Sequence, residues 1–344
     1  MVGGSMNKDD VVGFDVPVYR AVCIKAADGF PLSLRHYPAD GGVISQPRAA
    51  IFLCATGASQ GRFGHYARFL ATRGWHAITF DYRSIGESVT PEGAEHLVSM
   101  RAWGREDLSA VIDWACLQLD DPAIALVTHS IGGQIAALAR NTDRVRAMLA
   151  VSVQKGYYRL WPTWRRYGVY AFFRLYVPCL LRIRNHVPLS WAVKHLDRLE
   201  RGVAEDYARW TLRPDYLDEH GRSLDDAYER FAAPILSLSF EDDVIYAPKP
   251  TVDYLFERFY RNAPVLRAHV MPQQFGVQAL AHSGFFKHED CPPSFWDETE
   301  SWLRFVLAGG APLSFSFRSL PAAPLLRTGV DTKNPLSLAE ATQV

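Results

Sequence analysis

The stretch Val127–Gln134, VTHSIGGQ, closes an apolar run, AIALVTH, and opens a segment of helical character. It is one residue short of G-x-S-x-G, the strand–turn–helix pattern in which a strained turn lifts a serine hydroxyl clear of a sheet. Thr128 occupies the first glycine position, and Gly132 and Gly133 follow the serine. Such a turn needs small residues so that strand and helix can approach closely. The two glycines supply this on the helix side, and threonine is the largest residue expected to fit at 128. Taken alone, H-S-I-G-G is also compatible with a serine capping a helix, so the reading of Ser130 depends on the rest of the chain.

Around this turn, strands and helices alternate. Residues 17 to 37 alternate about Asp28-Gly29, a hairpin signal. AAIFLCATG (Ala49 to Gly57) and WHAITFDYR (Trp75 to Arg83) read as buried strands, separated by GHYARFLATRG at helical spacing. MRAWGREDLSAVIDWACLQL (Met100 to Leu119) predicts one long amphipathic helix before the Ser130 strand, and RVRAMLAVSV the strand after it. From Gln154 to about Ala232 the pattern breaks into a segment rich in aromatics and arginine, without strand-like alternation. The sheet pattern resumes with APILSLSFEDD, a helix PTVDYLFERFY, a strand VLRAHVMP and a final helix PSFWDETESWLRFVLAG. Parallel βαβ units are implied, hence a doubly wound sheet. The expected division is residues 1–153 and 233–308 as the two parts of one core, 154–232 as an inserted helical cap, and 309–344 as an irregular extension.

The bulk composition excludes several classes. The 344 residues are 48% hydrophobic and 22% charged, enough for a sizeable core. Lys plus Arg equals Asp plus Glu at 37 each, so no overall field draws in nucleic acid or an anionic membrane. Cys23, Cys54, Cys116, Cys179 and Cys291 are scattered and odd in number, which argues against a disulfide framework or zinc site and fits a reducing compartment. The acidic MVGGSMNKDDVV start is unlike a secretory leader. The run Tyr167 to Ile183 is broken by Arg174 and Pro178 and is shorter than the ~20 apolar residues a membrane span takes. A cytoplasmic protein with no metal, no cofactor, no nucleic-acid partner and no integral membrane segment is expected.

A serine hydroxyl needs a base to take its proton, a carboxylate to orient that base, and donors for the developing oxyanion. In α/β-hydrolases, which carry their serine on such a turn, the acid follows a late strand and the histidine lies in the loop before the last helix. Asp242 and Asp243 follow ILSLSF, and His282 lies in QQFGVQALAHSGFF ahead of the final helix. Oxyanion donors are expected from the backbone N–H groups of Ile131, after the serine, and Ala58, in the loop CATGASQG. His129 should point away from Ser130 and is read as structural. Asp107 is read as a buried structural contact and Trp103 as core packing. In the insertion, Trp161, Trp164 and Tyr167 are candidates for lining a substrate pocket, against the alternative of packing the cap's own core.

The segments ATGASQGRFGHYARFLATRGW, FDYRSIGES, AWGREDLSAVIDW, THSIGGQ, LSFEDDVIYAP and AHSGFF together resemble the α/β-hydrolase superfamily, and within it a bacterial family of predicted serine hydrolases. FDYRSIGES is similar to the superfamily's D-x-R-G-x-G-x-S turn, with Ser84 in place of a glycine. The resemblance covers most of residues 50 to 305. It implies an α/β-hydrolase fold and a triad of Ser130, His282 and an aspartate. The superfamily's spacing of acid to a following apolar residue and proline favours Asp243 over Asp242, with one extra residue. The reading that follows is hydrolysis of a carboxylic ester or thioester through an acyl-serine, with a hydrophobic acyl or aryl substrate. Acyl transfer to an acceptor other than water, and a non-catalytic binding protein on the same scaffold, are the alternatives.

Overall fold

A computed structural model describes residues 19–41, 46–162, 164–188, 198–317 and 326–328. The expected hairpin is present. Strands β1 (Arg20–Lys25) and β2 (Pro31–Tyr37) pair antiparallel, and Gly29 takes φ +84° in the turn between them. The apolar runs then form β3 (Arg48–Leu53), β4 (His76–Phe80), β5 (Ala123–His129) and β6 (Val145–Val151). Strands β3 and β5 are buried along almost their whole length, which is why they read as continuous apolar runs and not as alternation.

After β6 comes the insertion, which contains a small antiparallel pair, β7 (His186–Pro188) with β8 (Arg198–Glu200). The core sheet resumes with β9 (Ile235–Phe240) and β10 (Val265–Val270), and β11 (Leu326–Thr328) closes one edge. The order is β1-β2-β4-β3-β5-β6-β9-β10-β11, parallel from β4 through β10 and antiparallel at both margins. It is the mostly parallel, doubly wound sheet that the alternation of elements predicts.

Helices flank the sheet. They are α1 (Gly64–Ala71), α2 (Met100–Ala102), α3 (Ser109–Gln118) and α4 (Ile131–Ile135), then α5 (Arg165–Ala171), α6 (Val177–Ile183), α7 (Arg201–Leu212) and α8 (Asp225–Arg230) in the insertion. Helices α9 (Lys249–Arg258) and α10 (Pro293–Leu307) follow. None is long and apolar enough to cross a membrane.

Three details differ from the sequence reading. The long helix expected over 100–119 is interrupted by a π-helical stretch, Trp103–Leu108. That widening turns Trp103, Gly104 and Asp107 all inward: Trp103 stacks on Tyr82 at 4.8 Å, and a Cβ on Gly104 would lie 2.5 Å from Ile135 O. The insertion, read as helical, contains the β7–β8 pair. Of the C-terminal extension, read as irregular, Leu326–Thr328 pair with β10, and residues 318–325 and 329–344 lie outside the described residues.

The buried contact expected of Asp107 is an ion pair. Arg83, from the FDYRSIGES turn, donates through its backbone N–H and its Nε to the two Asp107 oxygens at 2.9 and 2.7 Å, and through a guanidinium nitrogen to Asp28 at 2.6 Å. Both Arg83 and Asp107 side chains are 0% exposed. Burial pushes the Asp107 carboxyl up to about 6 despite the adjacent guanidinium. The pair fastens the first hairpin and the β4 turn to the helix that precedes the nucleophile strand. Removing Asp107 leaves the buried Arg83 guanidinium with only the more exposed Asp28 as counter-charge. Asp107→Ala is therefore expected to cost about 3–5 kcal/mol of stability, read as a shift in urea midpoint; a loss below ~1 kcal/mol contradicts this.

Candidate active site

Ser130 lies where β5 ends and α4 begins, and it is a backbone outlier at φ +53°, ψ −119°. A non-glycine residue in this region is strained. The strain is held by close packing of α4 on the sheet. A Cβ on Gly132 would stand 2.6 Å from Leu53 O, and one on Gly133 2.4 Å from Val153 Cγ1 and 3.0 Å from Thr128 Oγ1. The second glycine therefore makes room for the side chain that replaces the first elbow glycine. Thr128 is fully buried and donates from Oγ1 to Leu149 O on β6 at 3.2 Å. Three phenols close over the short α4: Tyr228 donates to Gln134 O (2.7 Å) and Tyr260 to Gly133 O (2.6 Å), while Tyr216 donates to the side-chain Oε1 of Gln134 (2.9 Å). No motif marks these tyrosines in the sequence.

The two aspartates after β9 divide their work. Asp243 Oδ2 accepts from His282 Nδ1 at 2.6 Å, while its Oδ1 faces the N–H groups of Tyr246 (3.3 Å) and Ala247 (3.2 Å). Its carboxylate is 2% exposed, so the pairing is a desolvated, charge-assisted contact. A carboxylate can only accept, which puts the proton on His282 Nδ1 and leaves Nε2 free as a base. Asp242 makes a different contact. Its Oδ2 accepts the N–H groups of Leu280 and Ala281, both at 2.8 Å, in the loop immediately before His282. Ala281 stands at φ +46°, and the Asp242 contacts hold it there.

His129 points away from Ser130 and donates from Nε2 to His282 O at 2.7 Å, with the two imidazoles 4.8 Å apart. The Tyr246 ring lies 5.1 Å from His282 on a separate contact. So the histidine loop is gripped through Asp242, Asp243 and His129. Among the described residues no hydrogen bond joins Ser130 Oγ to His282; such contacts are commonly long without substrate and tighten in the Michaelis complex.

The expected oxyanion donors differ from each other. Ile131 N–H, at the first position of α4, has no acceptor among the described residues. Ala58 N–H, in contrast, closes a turn onto Ala55 O at 3.1 Å, with Gly57 at φ +74°, so this donor is taken up inside its own loop. That loop is fixed by Asp81, which accepts from Gln60 N–H at 2.6 Å and from Glu87 N–H at 2.9 Å. The candidate pocket residues also part company. Trp161 is buried and ties the insertion to the acid loop, donating from Nε1 to Ile245 O at 2.8 Å. Trp164 and Tyr167 are 73% and 66% exposed and enclose nothing, because α5 turns that face outward.

Residues 45–275 match the family model described as serine aminopeptidase, S33. The chain belongs to this α/β-hydrolase family. Its fold is shared with DcsB, solved in complex with a substrate analogue (TM-score 0.59, 16% identity, 85% of this chain and 100% of that one). The Pyrococcus furiosus esterase Pf2001 superposes with TM-score 0.51 at 14% identity, over 88% of this chain and 100% of that one. Est816, an N-acyl homoserine lactone degrading enzyme, gives 0.50 at 18% identity, over 81% and 99%. At these identities the likeness is one of fold. No curated protein matches the chain by sequence.

Burial and the neighbouring His282 hold His129 well below the ordinary histidine range, so it stays neutral in the folded protein. The unfolded chain protonates it near pH 6.5. Its contribution to stability is thus fully present above that pH and is lost as pH falls below it, by up to about 1.4 kcal/mol per pH unit. His129→Gln keeps a donor for His282 O but does not titrate. Urea midpoints compared near neutrality and in mild acid are expected to fall less for His129→Gln than for the wild type; equal slopes contradict the assignment.

Proposed function

We propose that this S33-family protein is a serine hydrolase that cleaves a carboxylic ester or thioester through an acyl-Ser130 intermediate. The observation that carries the reading is the Ser130 backbone at φ +53°, ψ −119° on a strand–helix turn, the strained geometry that presents a nucleophilic hydroxyl. The buried Asp243–His282 contact supports it.

In this mechanism His282 Nε2 removes the Oγ proton as Ser130 attacks the carbonyl carbon. Asp243 stabilises the imidazolium and fixes its tautomer. Ile131 N–H, at the positive end of α4, receives the oxyanion. Ala58 N–H joins it only by exchanging Ala55 O. The imidazolium returns its proton to the departing alkoxide or thiolate, and a water activated by the same Nε2 then releases the acid and restores Ser130. Asp242 acts one step removed, by holding the loop that carries His282. The insertion serves as a cap, tied to the acid loop through Trp161. A hydrophobic acyl or aryl group is favoured by the exposed Val244, Ile245 and Tyr246 beside His282.

Hydrolysis of a series of p-nitrophenyl esters and acyl thioesters tests this. Ser130→Ala is expected to lower kcat/KM by about four orders of magnitude or more, and Asp243→Ala by about three. Asp242→Ala, acting only through the loop, should lose roughly tenfold to a hundredfold. Turnover that survives Ser130→Ala, or an Asp242→Ala loss as large as that of Asp243→Ala, overturns the assignment.

A further inference from the structure

The balanced net charge conceals a one-sided segment. Residues 144–196 contain no aspartate or glutamate, whereas Arg159, Arg165, Arg166, Arg174, Arg182 and Arg184 fall within it. Helix α5, a π-helical stretch Phe172–Tyr176 and α6 run on without a break over these residues. One side of this rod packs inward: Val177 and Leu181 are buried, and Phe173 stacks on Tyr207 of α7 at 5.3 Å. The other side is an apolar stripe at helical spacing, Trp164, Tyr167, Ala171, Leu175, Cys179 and Ile183, every member exposed. Leu175 and Ile183 are 63% and 76% exposed, and the middle of the stripe forms an open apolar groove of about 860 Å³. Solvent-facing leucine, isoleucine and tryptophan in one row are not a solvated helix face.

We propose that this outward face docks on the surface of an anionic phospholipid bilayer. An aromatic and aliphatic stripe bordered by arginines is what an interfacial helix presents: the apolar side chains enter the headgroup boundary while the guanidinium groups meet lipid phosphates. Arg174, Arg182 and Arg184 are exposed and form no ion pair among the described residues, so their charge is available.

Charge argues against two other occupants, a second copy and the C-terminal tail. A second copy pairing through the same face sets arginines against arginines. Residues 318–344 of the chain carry Arg318, Arg327 and Lys333 against Asp331 and Glu340, and so offer no acidic complement. The stripe is also continuous with the candidate site. Arg165 donates to Val244 O at 3.1 Å and Trp161 to Ile245 O, and Val244, Ile245 and Tyr246 are 48%, 57% and 58% exposed up to the His282 ring. On the serine hydrolase reading, a bilayer seated here borders the reacting groups and makes a lipid-borne acyl ester the substrate class.

Flotation of the full chain with vesicles of phosphatidylcholine mixed with phosphatidylglycerol, and of phosphatidylcholine alone, tests the docking. Running Ser130→Ala beside the wild type keeps binding separate from catalysis. The expected result is binding to the mixed vesicles by both proteins, weakened by salt. It should fall about tenfold or more in Arg174→Glu/Arg182→Glu and in Leu175→Asp/Ile183→Asp, whose exposed positions leave the thermal midpoint unchanged. No binding, equal binding to phosphatidylcholine alone, or variants that bind like the wild type overturn the proposal. So does a wild-type dimer that these variants dissociate without any vesicle binding, which assigns the face to a second copy.

Discussion

The backbone of Ser130 depends on how closely α4 lies against the sheet. A residue at φ +53°, ψ −119° costs on the order of 1–3 kcal/mol and persists only where its surroundings leave no alternative. Those surroundings are specific. Ser130 N–H is held by Val151 O at 3.1 Å, Gly132 backs onto Leu53 O, and Gly133 fits between Val153 and Thr128. At the other end of α4, the hydroxyls of Tyr228 and Tyr260 occupy the Gln134 and Gly133 carbonyls, and that of Tyr216 bonds the Gln134 side chain. Tyr216 and Tyr228 come from the last part of the insertion and Tyr260 from just after α9, so α4 is braced from outside the sheet as well as from within it.

A second dependence runs through the histidine loop. Asp242 and Asp243 are neighbours in one turn, yet their side chains leave it in different directions, one toward the loop backbone and the other toward the imidazole. His129 adds a third hold by donating to the His282 carbonyl. The residue beside the serine thus serves the histidine. Together these contacts restrain the His282 loop at three points, the kind of preorganisation the proposed acyl transfer requires.

Much of this is legible in the sequence, for physical reasons. The alternation of apolar runs with helical spacing specifies a parallel sheet, and the chain order of Ser130, the aspartates and His282 specifies which strand ends must converge. The hairpin at Asp28-Gly29 and the buried place of Asp107 are readable because each depends on local chemistry. Other features depend on orientation, which spacing does not encode. Asp242 and Asp243 differ only in where a turn aims them. Ala58 is at the expected position in its loop, but its N–H turns back onto Ala55 O. Trp164 and Tyr167 are aromatic, and composition alone does not separate a pocket wall from an outward face; burial on α5 does. The three phenols on α4 are brought together by contacts from residues 133 and 134 to residues 216, 228 and 260, a range no local pattern spans.

Covalent capture decides whether the strained Ser130 hydroxyl is an activated nucleophile. A fluorophosphonate probe reacts with a serine only where a base and oxyanion donors assist it. The wild-type protein is expected to be labelled, with the adduct mapping to Ser130. Labelling is expected to vanish in Ser130→Ala and to drop sharply in His282→Ala while both variants remain folded. A folded wild-type protein that fails to label, or an adduct on any other residue, contradicts it.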